Sequence, residues 1–305
     1  MRSLVTGGAG FIGSAVVRAL LARGDEVRVL DNFSTGKREN LTGLAGAVEI
    51  LAGDLLDADA LRRAVAGREA VFHLAAKVSV PQSVAMPLED QRTNCEGTLR
   101  LLQAAAAAGV GRLVYSSSAA VYGDNPRLPL VESEAPRPLS PYGVSKCAGE
   151  LYARMFSAAY GLEAVALRYF NVFGPRQDPN SPYSGVLSRF MDATRRGEPV
   201  TIFGDGRQTR DFIYVEDVAR ANLLAQEAPG LAGEVFNVGR GEATSLLQIA
   251  ELLAQLTGTG DRAPRFEPAR AGDIVHSLAD IGKARQRLGF APRWTVEAGL
   301  RAMLS

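Results

Sequence analysis

The sequence predicts an α/β protein, a doubly wound parallel sheet in the first half followed by a smaller region of mixed α/β texture. Three observations carry this. Short apolar runs alternate with helix-length amphipathic patterns up to about residue 170, the pattern of a parallel sheet covered on both faces. The first apolar run passes directly into a glycine-rich turn and then a helix pattern. After Phe170 the texture changes, because Gly174-Pro175-Arg176 and Asp178-Pro179-Asn180-Ser181-Pro182 form a turn-rich stretch followed by shorter elements.

The elements follow in order. Strands are expected at Ser3–Thr6, Glu26–Leu30, Val48–Leu51, Ala70–Leu74, Arg112–Ser116 and Glu163–Leu167. The first helix sets Ile12, Val16, Ala19 and Leu20 on one stripe and ends at Gly24. A second is expected at Asp57–Val65, and Pro87–Ala108 and Tyr142–Tyr160 also have helical patterns. The alanines Ala104–Ala108 are good helix formers at a packed interface and imply no chemistry. The division falls near residue 170, with a dinucleotide-type domain over 1–170 and a second domain over 171–305. The segment around 212–240 again reads as helix plus strand and is a candidate to return to the first domain.

The chain has 305 residues, 47% hydrophobic and 22% charged, which suits one large globular domain plus a smaller one. A formal net charge of +1 provides no field to draw nucleic acid or an anionic membrane surface, so neither is an expected partner. Any anionic small molecule must be held by local groups. Cys95 and Cys147 are too few for a disulfide framework, and a reduced, cytoplasmic location is expected. Arg2 and the apolar residues after it loosely resemble a leader, but the glycines within Gly7–Gly13 break the apolar stretch. No run approaches the ~20 apolar residues of a membrane span. With His73 and His276 the only histidines, no metal cluster is expected.

Gly7-Gly8-Ala9-Gly10-Phe11-Ile12-Gly13 lies between a predicted strand and a predicted helix. Glycines at Gly7, Gly10 and Gly13 permit a tight turn and close backbone approach to a pyrophosphate, which the amide groups and dipole of the next helix attract. Asp31 ends the following strand, placed to accept from an adenosine ribose. Its charge repels a 2′-phosphate, and no arginine stands in Asn32-Phe33-Ser34-Thr35-Gly36, so NAD is favoured over NADP. Asp54, with Leu55 beside it, is either a second group near the adenine or a helix cap. Leu74, Ala75 and Ala76 are small or apolar enough to lie beside a cofactor, and equally suit core packing.

Tyr142 and Lys146 stand at i and i+4 on one helix face. An ammonium at ~4 Å and an effective dielectric of ~20 would stabilise a phenolate by about 4 kcal/mol, roughly three pKa units. That would bring the phenol into range for acid–base catalysis. Ser116-Ser117-Ser118 ends a strand at the sheet edge where ligands bind, and Ser118 can pass or position a proton for Tyr142. A serine-nucleophile reading fails for want of a Gly-x-Ser-x-Gly elbow. The Ser34-x-x-Lys37 match sits in the loop beside Asp31, and His73 reads as a satisfied core residue.

Gly7-x-x-Gly10-x-x-Gly13, Asp31 to Gly36, His73-Leu74-Ala75-Ala76, Ser116 to Gly123 and Tyr142-x-x-x-Lys146 together resemble the extended short-chain dehydrogenase/reductase family. Arg168 to Pro175 and Arg210-Asp211-Phe212 extend the resemblance over essentially the whole chain. Within the family it is most similar to the UDP-glucose 4-epimerases. The resemblance implies a Rossmann domain with bound NAD, a homodimer pairing the Pro87–Ala108 and Tyr142–Tyr160 helices, and a UDP-hexose substrate epimerised through a 4-keto sugar.

The resemblance also implies site residues. Ser118, Tyr142 and Lys146 would be catalytic. Asn171, Val186, Arg210, Arg270 and Asp273 would hold the nucleotide-sugar, although a surface ion-pair role is open for either arginine. Phe170 would pack near the nicotinamide, with Ser116 and Lys77 also in the cofactor's neighbourhood, and Asn94 would position Lys146 or the cofactor. Ala119 and Ala120 stand where 4,6-dehydratases have Asp-Glu and decarboxylases a Glu, and alanine moves no proton. Val78 stands where many bacterial epimerases have a lysine over the pyrophosphate; whether Lys77 substitutes is open. Ser277, small at a position that is Tyr in some members, leaves room for a 2-acetamido group. A net reductase or dehydratase, a uronate epimerase and a non-catalytic NAD-binding protein are the rival readings.

Overall fold

A computed structural model of the chain describes residues 1–44, 46–178, 185–258, 263–269 and 274–304. The chain begins with β1 (Arg2–Thr6), α1 (Phe11–Ala22), β2 (Glu26–Asp31) and β3 (Val48–Ala52). It continues with α2 (Ala58–Val65), β4 (Ala70–His73), α3 (Val80–Ala85) and α4 (Pro87–Gln91). A π-helical turn, Arg92–Glu96, joins α4 to α5 (Gly97–Ala107), so the stretch predicted as one helix contains a register change. β5 (Arg112–Ser118), α6 (Pro141–Tyr160) and β6 (Glu163–Tyr169) complete the first half. All six expected strands are present, most of them a residue or two longer than the apolar pattern.

The second half holds β7 (Asn171–Phe173), α7 (Val186–Arg195), β8 (Thr201–Phe203), β9 (Thr209–Arg210) and β10 (Phe212–Tyr214). Next come α8 (Val215–Glu227), β11 (Val235–Val238), β12 (Thr244–Ser245) and α9 (Leu246–Thr257). β13 (Arg265–Glu267), α10 (Gly282–Leu288) and α11 (Val296–Leu304) end it.

The main sheet has seven parallel strands in the order β11-β6-β5-β4-β1-β2-β3. The chain runs outward from β1 to β3 and then returns to β4 on the other side of β1. That reversal opens a crevice at the carboxyl ends of β1 and β4, the place where such sheets bind ligands. β11 pairs with β6 in register, Phe236 opposite Leu167, so the 235–238 strand lies in the first-half sheet.

Two apolar layers cover the sheet. On one face α1 and α8 bury Val16, Leu20, Val218 and Ala221 with Val5, Val165 and Phe236. On the other, Leu61, Leu101, Leu102, Ala153 and Phe156 cover Leu4, Val71 and Leu113. A third cluster joins α7, α9 and α11 around Phe190, Ile202, Ile249 and Leu300. A small fourth cluster of Val121, Tyr122, Leu130, Phe170, Ala279 and Ile281 lies near the end of β5 and draws on both halves of the sequence. Among the described residues no helix is long and apolar enough to cross a membrane.

Phe236 is fully buried between β6 and the α8 layer. Phe236→Ala is expected to cost about 3–5 kcal/mol of unfolding free energy, measured by urea titration. A loss below about 1 kcal/mol would show that β11 is not part of the central core.

Candidate active site

The turn after β1 is built for close approach. The amide of Gly10 donates to the Gly7 carbonyl at 3.0 Å, closing the turn. A Cβ at Gly13 would lie 2.0 Å from the Gly7 carbonyl oxygen, so no side chain fits there. Gly10 is the N-cap of α1 and has no side chain to satisfy the first helical amides, and no acidic residue stands in the first turn. An uncapped N-terminus beside a sheet crevice is suited to a pyrophosphate.

Asp31 fixes the neighbouring loop. One carboxylate oxygen accepts from the Ala9 amide at 2.9 Å and the other from the Phe33 amide at 2.8 Å. Each oxygen keeps a lone pair for a ribose hydroxyl. Asn32 accepts from the Ser34 amide and donates to Asp54 at 2.7 Å. Asp54 also accepts from the Leu56 amide, while α2 is capped by Asp57, which accepts from Asp59 and Ala60. The cap alternative for Asp54 is therefore corrected, since Asp57 occupies that position. Leu55 is buried against the start of α5. Arg38, just beyond the Asn32–Gly36 loop and not singled out by sequence pattern, places its guanidinium over the Phe33 ring at 4.1 Å.

On the β4 side, the Leu74 amide donates to the Thr6 carbonyl and the Ala75 amide to the Thr6 hydroxyl, drawing Leu74-Ala75-Ala76 against the glycine turn. His73 is buried between the Thr6 and Thr98 hydroxyls at 2.8 and 2.9 Å, and burial together with Lys146 lowers its pKa to about 3. It is a satisfied core residue. Asn94 lies in the π-helical turn, accepts from the Lys77 amide and donates to the Lys77 carbonyl, both at 2.8 Å. It also donates to Asp90 and Ser145. Its direct hold is thus on the Lys77 backbone, and Lys146 is reached only through the neighbouring Ser145. The Lys77 ammonium pairs with Glu89 at 2.5 Å, and Val78 is exposed.

Tyr142 stands in the first turn of α6, whose N-cap Ser140 accepts from the Gly143 amide and whose Pro141 needs no hydrogen-bond partner. Ser118 lies beside the Tyr142 phenol, and its hydroxyl accepts from the Ala120 amide at 3.1 Å. The Lys146 ammonium is buried, 5.8 Å from the Tyr142 ring centre, and donates to the Ser116 carbonyl at 2.7 Å. The expected lowering of the phenol by an ammonium at ~4 Å is corrected here. Burial dominates and pushes Tyr142 up to about 12, the neighbouring Ser118 hydroxyl works against it, and Asp90 adds to it. Burial likewise lowers Lys146 to about 8, opposed by Asp90 and Glu150. Ala119 and Ala120 are half-buried next to Ser118 and bring no titratable group.

On the second-half side, Asn171 donates through its amide side chain to the Asp211 carbonyl, and Val186 is the first residue of α7. The Arg210 guanidinium donates to the Thr209 and Val275 carbonyls. Asp211, beside it, accepts from the Arg240, Gly241 and Ala279 amides, while burial raises its carboxyl to about 6. Ser277 is buried and its amide donates to the Thr209 carbonyl. Phe170 is buried beside Tyr122, ring centres 6.3 Å apart. Arg270 and Asp273 lie outside the described residues.

A parallel sheet with a switch-point crevice, an uncapped glycine turn and a half-buried Ser–Tyr pair beside a buried lysine define a dinucleotide-dependent enzyme of the Rossmann type. The chain belongs to the NAD dependent epimerase/dehydratase family, whose model matches residues 3–239, and NAD is its cofactor. It is 41% identical over 304 residues to UDP-glucose 4-epimerase of Mycolicibacterium smegmatis, covering 98% of this chain and 96% of that one. UDP-N-acetylglucosamine 4-epimerase from Methanobrevibacter ruminantium superposes with a TM-score of 0.94 at 44% identity, over 99% of this chain and 96% of that one. UDP-glucose 4-epimerase of Thermotoga maritima, solved with UDP-glucose, gives 0.93 at 44% identity, over 99% and 97%. Relatives named for other reactions also match, among them dTDP-glucose 4,6-dehydratase of Streptomyces niveus at 36% identity over 309 residues, covering 98% of this chain and 90% of that one.

Lys146 could assist a phenolate only while it is an ammonium, and its folded pKa lies below the usual 10.5. Turnover is therefore expected to fall as pH rises through about 8, seen as the basic limb of a kcat/KM profile. A profile flat to pH ~10 would contradict it.

Proposed function

We propose that the chain is a UDP-sugar 4-epimerase acting on UDP-glucose and UDP-galactose, with the N-acetylhexosamine forms also accepted. The observation that carries this is the pair Ala119 and Ala120 beside Ser118 and Tyr142. Where water elimination would need an acid and a base, two methyl groups stand, so proton traffic is confined to the phenol. Ser118 orients the sugar's 4-hydroxyl, and Tyr142 takes its proton. The dinucleotide, when bound, would supply hydride acceptance and return at C4 and a positive ring that favours the phenolate. Lys146, fixed by the Ser116 carbonyl, adds to that field. Tyr142 then gives the proton back once the 4-keto sugar has turned about its pyrophosphate. Residues 171–305 supply the nucleotide-sugar half of the site, with Asn171, Val186, Arg210, Arg270 and Asp273 as its ligands. A cytoplasmic location fits this chemistry.

The test is to incubate the NAD-loaded protein with UDP-galactose and follow C4 configuration by NMR and product mass. Interconversion with UDP-glucose at unchanged mass is expected, and loss of water from the product would replace this reading with a dehydratase. Tyr142→Phe should lower kcat by about 10²–10⁴ while NAD remains bound. Ser277 is small, and a tyrosine there would fill the room for a 2-acetamido group. Ser277→Tyr should cut turnover of UDP-GlcNAc more than about tenfold and spare UDP-galactose; full activity on both would refute the assignment.

The homodimer reading is supported by an apolar face. Val144, Leu151 and Met155 recur along α6 at one helical face and are exposed, as is Leu88 on α4 at 80%. Leu151→Asp is expected to convert a dimer to a monomer by light scattering; a wild-type chain that is monomeric at micromolar concentration would end this reading.

A further inference from the structure

Three consecutive serines at the end of β5 each meet one residue on a single face of α6. The Ser118 hydroxyl meets Tyr142, and the Ser116 carbonyl accepts from Lys146. The Ser117 hydroxyl donates to Glu150 at 2.5 Å. The helix partners stand at i, i+4 and i+8, so they form one axial row. The contact is close because Gly149 lies between the last two rungs. A Cβ there would sit 2.2 Å from the Tyr115 hydroxyl.

Two rungs have been used by the chemistry above, and the third has not. Glu150 and Arg168 are both buried, with side chains 6% and 4% exposed. The guanidinium donates through Nε and Nη2 to the two carboxylate oxygens at 2.8 and 2.7 Å, a bidentate pair of fixed orientation. Arg168 lies over the Tyr122 ring at 4.6 Å and donates to the Glu132 carbonyl. Tyr122 in turn donates to Asn237, whose amide donates to the Glu132 carboxylate. Glu150 is therefore rigid, anchored to β6 and, through Tyr122, to β11.

Resting on the proposed reading of the site, we propose that Glu150, clamped by Arg168, is a positioning residue for the reaction. Through Ser117 it holds the carboxyl end of β5 against α6, so that the Ser116 carbonyl and the Ser118 hydroxyl meet Lys146 and Tyr142. It also contributes negative charge one helical turn from Lys146. The groups facing Lys146 are Tyr142 and Glu150 from α6, Asp90 from α4 and Cys95 from the π-helical turn, with His73 from β4 and Tyr115 from β5. Of these, Asp90 and Glu150 are the carboxylates that support its charge.

The test uses the full-length NAD-loaded protein and two variants. Ser117→Ala removes one hydroxyl and leaves the ion pair intact. It is expected to lower kcat about tenfold with KM within about twofold, the pattern of misplaced catalytic groups. Glu150→Gln keeps the shape and removes the charge, and is expected to move the Lys146 midpoint down by about half a unit or more. That midpoint is read by NMR of lysine-labelled protein, which is tractable because Lys37, Lys77, Lys146 and Lys283 are the only lysines. Replacing the other three by arginine assigns the signals. If Glu150→Gln does not fold, Ser117→Ala decides the matter alone. Wild-type kcat in folded Ser117→Ala, or an unmoved Lys146 midpoint in folded Glu150→Gln, would overturn the proposal. If the wild-type protein interconverts no UDP-sugar, the functional reading fails, and the Lys146 midpoint still judges the role of Glu150.

Discussion

The ammonium of Lys146 is buried and, among the described residues, donates to a neutral acceptor, the carbonyl of Ser116 at 2.7 Å. A charge taken out of water without a directly bonded carboxylate is costly, which is why burial draws its pKa to about 8. Yet a carboxylate bonded directly to it would quench the positive field that a phenolate needs. The fold resolves this by keeping Asp90 and Glu150 near Lys146 while tying each elsewhere. Asp90 accepts from Asn94, and Glu150 is held by Arg168 and Ser117. The rest of the site follows from this arrangement, because the same contacts bring β5 and α6 together.

Much of the fold was legible because its signals are local. A strand buried on both faces reads as an apolar run, and a glycine turn between strand and helix marks the crevice. The 3.6-residue period found α1 and α6, and i,i+4 spacing found Tyr142 and Lys146. The π-helical turn at Arg92–Glu96 was not legible, since no residue type in that short stretch marks where a helix takes up one extra residue. Its consequence is that Asn94 faces the Lys77 backbone. Glu150 stood in plain view at i+8 from Tyr142. Its partner Arg168 lies on another element, 18 residues on, and sequence spacing says nothing of contacts between elements.

The electrostatics were the least legible part. Spacing on a helix fixes which side chains share a face but not their separation or their solvent. The ammonium lies 5.8 Å from the ring centre of Tyr142 and gives its hydrogen bond to a backbone carbonyl. With desolvation acting on both groups, proximity alone does not ready the phenol. On the proposed reading, the charge that readies it would be assembled from Lys146 and the bound dinucleotide together, which would make acid–base chemistry conditional on cofactor binding.

That conditionality bears on how the two halves of the sequence cooperate. Asn237 on β11 accepts from Tyr122 and donates to the carbonyls of Leu130 and Asp280. Leu130 and Ala279 pair as a β-bridge, two residues from Ser277, and Asp211 receives the Ala279 amide beside Arg210. The backbone around Ser277 and Arg210 is therefore hydrogen-bonded, through Asn237 and Tyr122, to the turn that follows Ser118. On the proposed reading, a sugar that turns over while its phosphates stay fixed would need both ends registered to one frame. The buried polar network supplies that frame where a hinge between the halves would blur it.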